Sequence, residues 1–310
     1  MTPPDGDTPP TDRASADPTG PEATHHRIAV EVADPLAAEL AADRLWQLGT
    51  LGIEERPGLL VAVFDDESTA RAAAAEFGAP TPEPLDAIAA VDAARWRARP
   101  VRVGPVLIRP PWVDPSSLPV GAADDADPTP ALELVIDPGR AFGSGSHPST
   151  RLAVALLHPV VGPGRRVLDI GSGTGVLSVL AGLCGSTVTA CDIDPPAVET
   201  TRDNVRRNQL TGRVAVTDRS VADLTGPYDV IVANVTIDIH ERLAAEIDRL
   251  AAPAGVVVAS GILEGRQLDR LLAAHPGRVL VEHRREGEWA GVVLGPPTAA
   301  PTLERVAGRT

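Results

Sequence analysis

The sequence predicts an α/β fold in which helices cover both faces of a mostly parallel sheet. Over the C-terminal half, short apolar runs alternate with segments of helical periodicity, as in successive strand-helix-strand units. One apolar run, at 165–170, leads into a glycine-rich turn and then a helical segment. The last two apolar runs, at 277–284 and 288–295, are close enough for a hairpin, so we expect an antiparallel edge.

The same periodicities predict the other elements of this large unit. Strands are expected near 131–136, 165–170, 186–191, 212–217, 228–234, 255–261, 277–284 and 288–295, and helices near 149–158, 174–184, 195–208, 237–251 and 264–274. Before them, a strand, a helix, a strand pair and a second helix are expected between residues 26 and 77. That order predicts a small α+β unit of the ferredoxin-like type.

Composition predicts where the chain divides. The first residues are rich in Pro, Asp, Thr and Gly and contain almost no large apolar side chains, so they cannot bury enough surface to fold. The predicted parts are a disordered leader at 1–24, the small domain at 25–80, a linker with a connecting strand at 81–130, the large domain at 131–296 and a flexible tail at 297–310. An acidic surface loop is expected at 120–130.

Charge and composition argue against several classes of function. A net charge of -14 without a basic run disfavours nucleic acid as a direct substrate. No apolar run reaches the roughly 18 residues of a membrane span, and the N-terminus lacks the pattern of a signal peptide. Cys184 and Cys191 are expected to be buried reduced thiols, and no metal-ligand spacing is present. We therefore expect a cytoplasmic protein without a metal.

The glycine turn predicts a nucleoside site. Gly171, Gly173 and Gly175 follow a buried strand, where glycines let a ligand approach the backbone at a helix N-terminus. Asp192 comes 21 positions after Gly171, at the end of the next predicted strand. A carboxylate there can accept hydrogen bonds from both hydroxyls of a ribose. The alternative is a tight turn of the kind found in any α/β protein.

The spacing of the glycines favours one nucleoside class. A dinucleotide turn has its third glycine one place later, where this chain has Val176, and this disfavours a nicotinamide oxidoreductase. Asp169 precedes the turn and would attract the positive end of a ligand. S-adenosylmethionine carries an ammonium and a sulfonium, so it is the expected cofactor.

Two further segments are expected at the same edge of the sheet. Asn234 ends the strand predicted at 228–234, and its side-chain oxygen can accept hydrogen bonds from an incoming amine. In the loop before the helix at 149–158, Ser149 or Thr150 could cap the helix or touch a ligand. Capping is favoured for Thr150 taken alone. His147 is either a base or a loop residue, and the loop residue is favoured.

These motifs resemble the PrmA family, the methyltransferases of ribosomal protein L11. The similar segments are D-P-G-R-A-F-G-S-G-S-H-P-S-T at 137–150, the glycine turn at 169–175, D-I-D-P at 192–195, A-N at 233–234 and S-G-I-L at 260–263. The resemblance implies a Rossmann-like class I methyltransferase domain at 131–296, and a small domain that recognises the protein substrate. The family's A-N-I-L is A-N-V-T here.

The resemblance also implies an activity and a set of site residues. The activity is transfer of methyl groups to lysine and N-terminal amines of ribosomal protein L11, free or on the large subunit, with Asn234 as the catalytic residue. With the glycine turn included, the expected cofactor-binding residues are Thr150, Asp169, Gly171, Gly173, Gly175, Asp192 and Asn234. Alternatives are a methyltransferase of another protein or of a small-molecule amine, and a non-catalytic nucleoside-binding protein.

Overall fold

The computed structural model describes residues 24–50, 52–86, 100–114, 131–138 and 145–298. The predicted leader up to residue 23, the acidic loop at 120–130 and the tail from residue 299 lie outside the described residues, as does 139–144. No helix in the described ranges is both long and apolar enough to cross a membrane.

The first part of the described chain is an antiparallel sheet with two helices. Its elements are β1 (Thr24–Glu31), α1 (Pro35–Gln47), β2 (Gly52–Arg56), β3 (Leu59–Phe64), α2 (Glu67–Phe77) and β4 (Glu83–Asp86), and the strand order is β2-β3-β1-β4. Alternation along β1 and β3 buries Ile28, Val30, Leu60 and Phe64 with apolar residues of α1 and α2. The element order is that of the ferredoxin-like motif.

Strand β4 lies in the segment predicted as linker. It pairs with β1, so this sheet continues past residue 80, where the small domain was expected to end. The division of the chain into domains stays a prediction.

The connecting strand predicted around 101–108 is a hairpin. β5 (Val101–Val103) and β6 (Val106–Arg109) pair antiparallel around Gly104, whose φ is +54°. β7 (Leu132–Val135) then runs parallel to β6. The strand predicted at 131–136 is therefore present, but its expected place in the large sheet was wrong, because periodicity reveals a strand without revealing its partner.

The predicted large sheet has seven strands. They are β8 (Arg166–Ile170), β9 (Thr187–Cys191), β10 (Val214–Thr217), β11 (Tyr228–Asn234), β12 (Ala251–Leu263), β13 (Val279–Glu286) and β14 (Trp289–Gly295), in the order β10-β9-β8-β11-β12-β14-β13. The helices are α3 (Pro148–Leu157), α4 (Val176–Leu183), α5 (Pro195–Arg207), α6 (Ile237–Leu250) and α7 (Arg266–Ala274). β14 is antiparallel to both neighbours, so the predicted edge is confirmed.

The strand order places a switch point beside β8. The chain continues from β8 to β9 on one side, and β11 pairs with β8 on the other side. In open α/β sheets, ligands bind at the carboxyl ends of the strands near such a point.

Alternation along the strands decides which side chains face α3 and α4. Val167 of β8 and Val232 of β11 pack on that face, whereas Leu168 and Ile231 belong to the core on the opposite face. Because side chains alternate along a strand, Asp169, Asn234 and Ser260 also point toward α3 and α4. Three polar groups thus continue an apolar face at the carboxyl ends of three adjacent strands.

Candidate cofactor and active site

The glycine turn is bonded to the end of the neighbouring strand. The backbone N–H groups of Gly171 and Ser172 donate to the carbonyl oxygen of Cys191, at 2.9 and 3.2 Å. The N–H of Gly175 donates to the Ser172 carbonyl at 2.7 Å, which closes the turn before α4. These bonds place the first turn of α4 beside the residue that follows β9.

All three glycines of the turn have positive φ, at +70°, +54° and +79° for Gly171, Gly173 and Gly175. A Cβ at Gly171 would lie 2.7 Å from Cγ1 of Val235, and a Cβ at Gly175 would lie 2.9 Å from Cγ2 of Thr201. The turn therefore requires glycine both for its backbone angles and for the close approach of its neighbours.

Asp192 lies next to the turn, as its spacing predicts. One carboxylate oxygen accepts from the N–H of Gly173 at 2.9 Å, and the other accepts from the N–H of Asp194 at 3.0 Å. These two bonds orient the carboxylate at the rim of the turn. Each oxygen retains a second acceptor position, as two ribose hydroxyls would require.

Ile193 is an exposed apolar residue beside Asp192 to which the sequence analysis gave no role. Its side chain is 83% exposed, although it follows a buried strand and is flanked by Asp192 and Asp194. A large apolar side chain beside a carboxylate can cover the flat face of a nucleobase whose ribose the carboxylate binds. The signal in the sequence was an isoleucine between two aspartates at the end of a strand.

Asp169 is buried under the turn. Only 1% of its surface is exposed, and one carboxylate oxygen accepts from the hydroxyl of Ser178 on α4 at 2.6 Å. The other oxygen, Oδ1, is buried with no hydrogen-bond partner in the described part of the chain. Burial raises the pKa of this carboxyl to about 7, against the Ser178 hydrogen bond, which lowers it, and the charge of Asp192 adds to the increase. A cationic group placed here would stabilise the ionised form.

Asn234 and Thr150 lie together at the end of β11. The Nδ2 atom of Asn234 donates to the hydroxyl oxygen of Thr150 at 3.4 Å, and Thr150 is fully buried in the first turn of α3. The side-chain oxygen of Asn234 is buried, and no described residue gives it a hydrogen bond. The contact with Thr150 thus leaves the oxygen as the end of the amide that can accept a hydrogen bond.

The cap of α3 differs from the prediction. His147 is the N-cap residue, and its Nδ1 accepts from the N–H of Ser149 at 3.2 Å, with Pro148 at the first helical position. The favoured capping role of Thr150 was wrong because Thr150 is already inside the helix. Burial, aided by the charge of Arg151, lowers the pKa of His147 to about 4, so the ring is neutral near pH 7. His147 therefore serves as a helix cap.

Asn204 and Asn208 on α5 form a second feature that the sequence analysis left without a role. The side-chain amide of Asn208 bonds both the N–H and the carbonyl of Val135, at 3.0 and 2.8 Å. The Asn204 amide does the same for Asp137, at 2.9 and 2.8 Å. Its Nδ2 also donates to the Thr174 carbonyl at 2.9 Å. The two amides bind the end of β7 and Asp137 to α5, and the Asn204 amide also links them to the glycine turn.

The predicted site residues are therefore gathered at one edge. The turn, Asp169 and Asp192 lie at the ends of β8 and β9, and the pair of Thr150 and Asn234 lies at β11, which pairs with β8. The arrangement offers acceptors for a ribose, a buried carboxylate for a cation and an amide oxygen for a donor. No group of three or more His, Cys, Asp or Glu residues in the described ranges is placed to hold a metal ion.

Known proteins are similar to this chain in sequence. Residues 87–295 match the family model described as ribosomal protein L11 methyltransferase (PrmA). Two relatives are named ribosomal protein L11 methyltransferase. The protein from Deinococcus radiodurans is 36% identical over 82% of this chain and 91% of its own length. The protein from Sorangium cellulosum is 32% identical over 91% of this chain and 90% of its own length. The similar segment of the Syntrophotalea carbinolica protein is 39% identical and spans 60% of this chain and 59% of that protein.

A solved structure gives the same result for the fold. The crystal structure of a ribosomal protein L11 methylase from Lactobacillus delbrueckii subsp. bulgaricus aligns with a TM-score of 0.54 and 26% identity. The alignment covers 64% of this chain and 98% of that one. The fold is a Rossmann-like class I methyltransferase fold. The chain belongs to the PrmA family of ribosomal protein L11 methyltransferases.

Proposed function

We propose that this chain is an S-adenosylmethionine-dependent methyltransferase that modifies amines of ribosomal protein L11. The observation that carries the proposal is the buried oxygen of Asn234 beside the glycine turn, which has no hydrogen-bond partner among the described residues. A buried acceptor without a partner is unfavourable, so it indicates a group that arrives with a donor. A neutral amine is such a group.

The residues around the turn are suited to the cofactor. When bound, S-adenosylmethionine supplies a methyl group that an amine lone pair can take, while the electrons of the broken carbon–sulfur bond stay on sulfur. Asp192 would accept hydrogen bonds from the ribose hydroxyls, and Ile193 would cover the adenine. Asp169 would favour the positive charge through its buried carboxylate. Gly171, Gly173 and Gly175 leave the turn open for the ligand.

Asn234 would orient the amine and exchange no proton with it. Thr150 holds the Nδ2 end of the amide, so the oxygen accepts an N–H of the substrate and directs the nitrogen lone pair. Orientation of this kind can supply several kcal/mol. The amine must arrive neutral, and because lysine has a pKa near 10.4 and an α-amino group one near 7.8, the rate should rise with pH.

The proposal extends to the substrate and the location. The substrate is ribosomal protein L11, free or on the large subunit, and the β1–β4 sheet with α1 and α2 is the part proposed to bind it. This substrate is supported by the two relatives from Deinococcus radiodurans and Sorangium cellulosum, which are named ribosomal protein L11 methyltransferases. The protein would act in the cytoplasm, and direct recognition of nucleic acid is not expected from its net charge of -14.

The test uses the purified chain, methyl-labelled S-adenosylmethionine and ribosomes from a strain that lacks this activity. We expect label in ribosomal protein L11, located by mass spectrometry. Because the chain contains no lysine, a labelled lysine must belong to the substrate. Label in a different protein would show that the substrate is that protein and not L11. Cofactor binding without any transfer would refute catalysis.

The Asn234→Ala variant tests the catalytic residue. We expect kcat to fall by about 100-fold, since the amine loses its acceptor, while the Kd for S-adenosylhomocysteine changes less than about threefold. Calorimetry measures the binding and the label assay measures turnover. Unchanged turnover would leave Asn234 as a strand-end amide only.

A further inference from the structure

Ser260 connects the candidate active site to the sheet. It is fully buried on β12 and is the register partner of Asn234 on the adjacent parallel strand β11. Its side chain points to the same face of the sheet as Asn234, toward α3. Ser260 is therefore beside Asn234 without belonging to the group expected to touch the ligand.

The hydroxyl of Ser260 is bonded to the first turn of α3. Its Oγ donates to the carbonyl oxygen of Ser149 at 2.8 Å. The next residue is Thr150, whose hydroxyl oxygen accepts from Nδ2 of Asn234. The Ser260 hydrogen bond thus binds β12 to the helix turn that carries Thr150, the hydrogen-bond partner of Asn234.

The backbone around Ser260 is itself held in place. Nε2 of the buried His240 lies 2.9 Å from the Ser260 carbonyl oxygen. Gly261 has a φ of +81°, and a Cβ there would lie 2.6 Å from the carbonyl oxygen of Val235, the residue after Asn234. The end of β12 is therefore in close contact with the end of β11.

The close approach of α3 to Ser260 depends on Gly291, which has no side chain. A Cβ at Gly291 on β14 would lie 2.8 Å from Cδ1 of Leu156 and 3.1 Å from Cβ of Leu152, both on α3. Glycine at this position lets the helix lie against β14 and β12. The Ser260 hydrogen bond then links the first turn of α3 to β12, in addition to the ion pair of Arg151 with Glu286 on β13.

We infer that Ser260 is a positioning residue for Asn234: by holding the first turn of α3, it keeps Thr150 on the amide nitrogen and the amide oxygen toward the substrate amine. The inference rests on the proposed function, because it requires that the Asn234 oxygen accepts the amine. Without the Ser260 bond, the α3 turn can shift and the amide can rotate, which mixes productive and unproductive orientations.

The test is the Ser260→Ala variant with Ser186→Ala as its matched control. Ser186 is also fully buried and donates to a backbone carbonyl, that of Gly162 at 3.0 Å, but it lies just before β9, at the amino ends of the strands. We expect Ser260→Ala to lower kcat about tenfold with less than a twofold change in the Kd for S-adenosylhomocysteine. Ser186→Ala should keep kcat within twofold, although both variants lower the melting temperature.

A double-mutant cycle separates positioning from a general loss of stability. If Ser260 acts through Thr150, kcat of the Ser260→Ala/Thr150→Val protein should equal that of Thr150→Val alone within about twofold. Independent effects, or unchanged turnover in Ser260→Ala, would overturn the inference. If Ser260→Ala does not fold, Ser260→Cys repeats the test with an expected threefold loss, since a thiol is a weaker donor.

The Asn234→Ala variant distinguishes the two possible failures. If its kcat is unchanged, the proposed role of Asn234 is wrong, whatever Ser260 does. If its kcat falls while that of Ser260→Ala does not, only the role of Ser260 is wrong.

Discussion

The buried carboxyl of Asp169 gives the sharpest test of the site. A pKa of about 7 in place of the ordinary 3.8 means that the folded protein holds a proton that the unfolded chain releases. At 1.36 kcal/mol for each pKa unit, ionising this group under the turn lowers the free energy of unfolding by about 4 kcal/mol. The loss begins near pH 4, grows as pH rises and is complete above about pH 7.

The Asp169→Asn substitution removes this titration while it keeps the shape of the side chain. Its amide oxygen can still accept from Ser178, and no proton is released at high pH. We therefore expect the stability of the variant relative to the native protein to increase by about 2 to 3 kcal/mol between pH 5 and pH 8.5. Urea unfolding at both pH values measures this difference.

His147 and His240 also titrate, with the opposite sign. Burial lowers the pKa of His147 and of His240 to about 4, so the unfolded chain binds more protons between about pH 4 and 6.5. Their contribution to stability therefore increases as pH rises through that range, in both proteins, and cancels in the comparison. If the free energies of unfolding of Asp169→Asn and the native protein differ by the same amount at pH 5 and at pH 8.5, within about 0.5 kcal/mol, the reasoning is refuted.

Three further predictions concern the cofactor. Gly171→Ala should raise the Kd for S-adenosylhomocysteine at least about tenfold in calorimetry and lower the melting temperature, because the new Cβ meets Val235 at 2.7 Å; an unchanged Kd would contradict the tight turn. Ile193→Ser should raise the same Kd about threefold without lowering the melting temperature, since the side chain is 83% exposed, and equal affinity would exclude contact with the adenine. Asn204→Ala should weaken binding by about fivefold, as the turn loses its bond from Asn204 to Thr174. Asn208→Ala removes bonds to Val135 and to the Asn204 carbonyl but none to the turn, so it should change the Kd less than twofold, and equal effects would refute this.

Much of the large sheet could be predicted because its signals are local. The glycine turn, the spacing to Asp192 and the strand ending in Asn234 each follow from a short stretch of sequence. Parallel strands then bring their carboxyl ends together without further information. The glycine turn, Asp192 and Asn234 lie at the carboxyl ends of adjacent strands, whereas their roles in binding stay predictions.

The remainder depended on contacts between distant residues. The strand at 131–136 has the same periodicity whether it joins the large sheet or β6, so its partner was not predictable. The cap of α3 was assigned to a hydroxyl residue, although the preceding histidine accepts the N–H of Ser149. The bonds of Asn204 reach Asp137 and Thr174, and no local pattern relates these residues.

The position of β14 has a consequence for synthesis. This strand is the last described in the chain, yet it lies inside the sheet between β12 and β13. While the ribosome is still making residues before Trp289, β12 exposes an unpaired edge and β13 has no neighbour within the described chain. Growing chains and products truncated in this region would therefore be prone to aggregation and proteolysis until β14 is inserted.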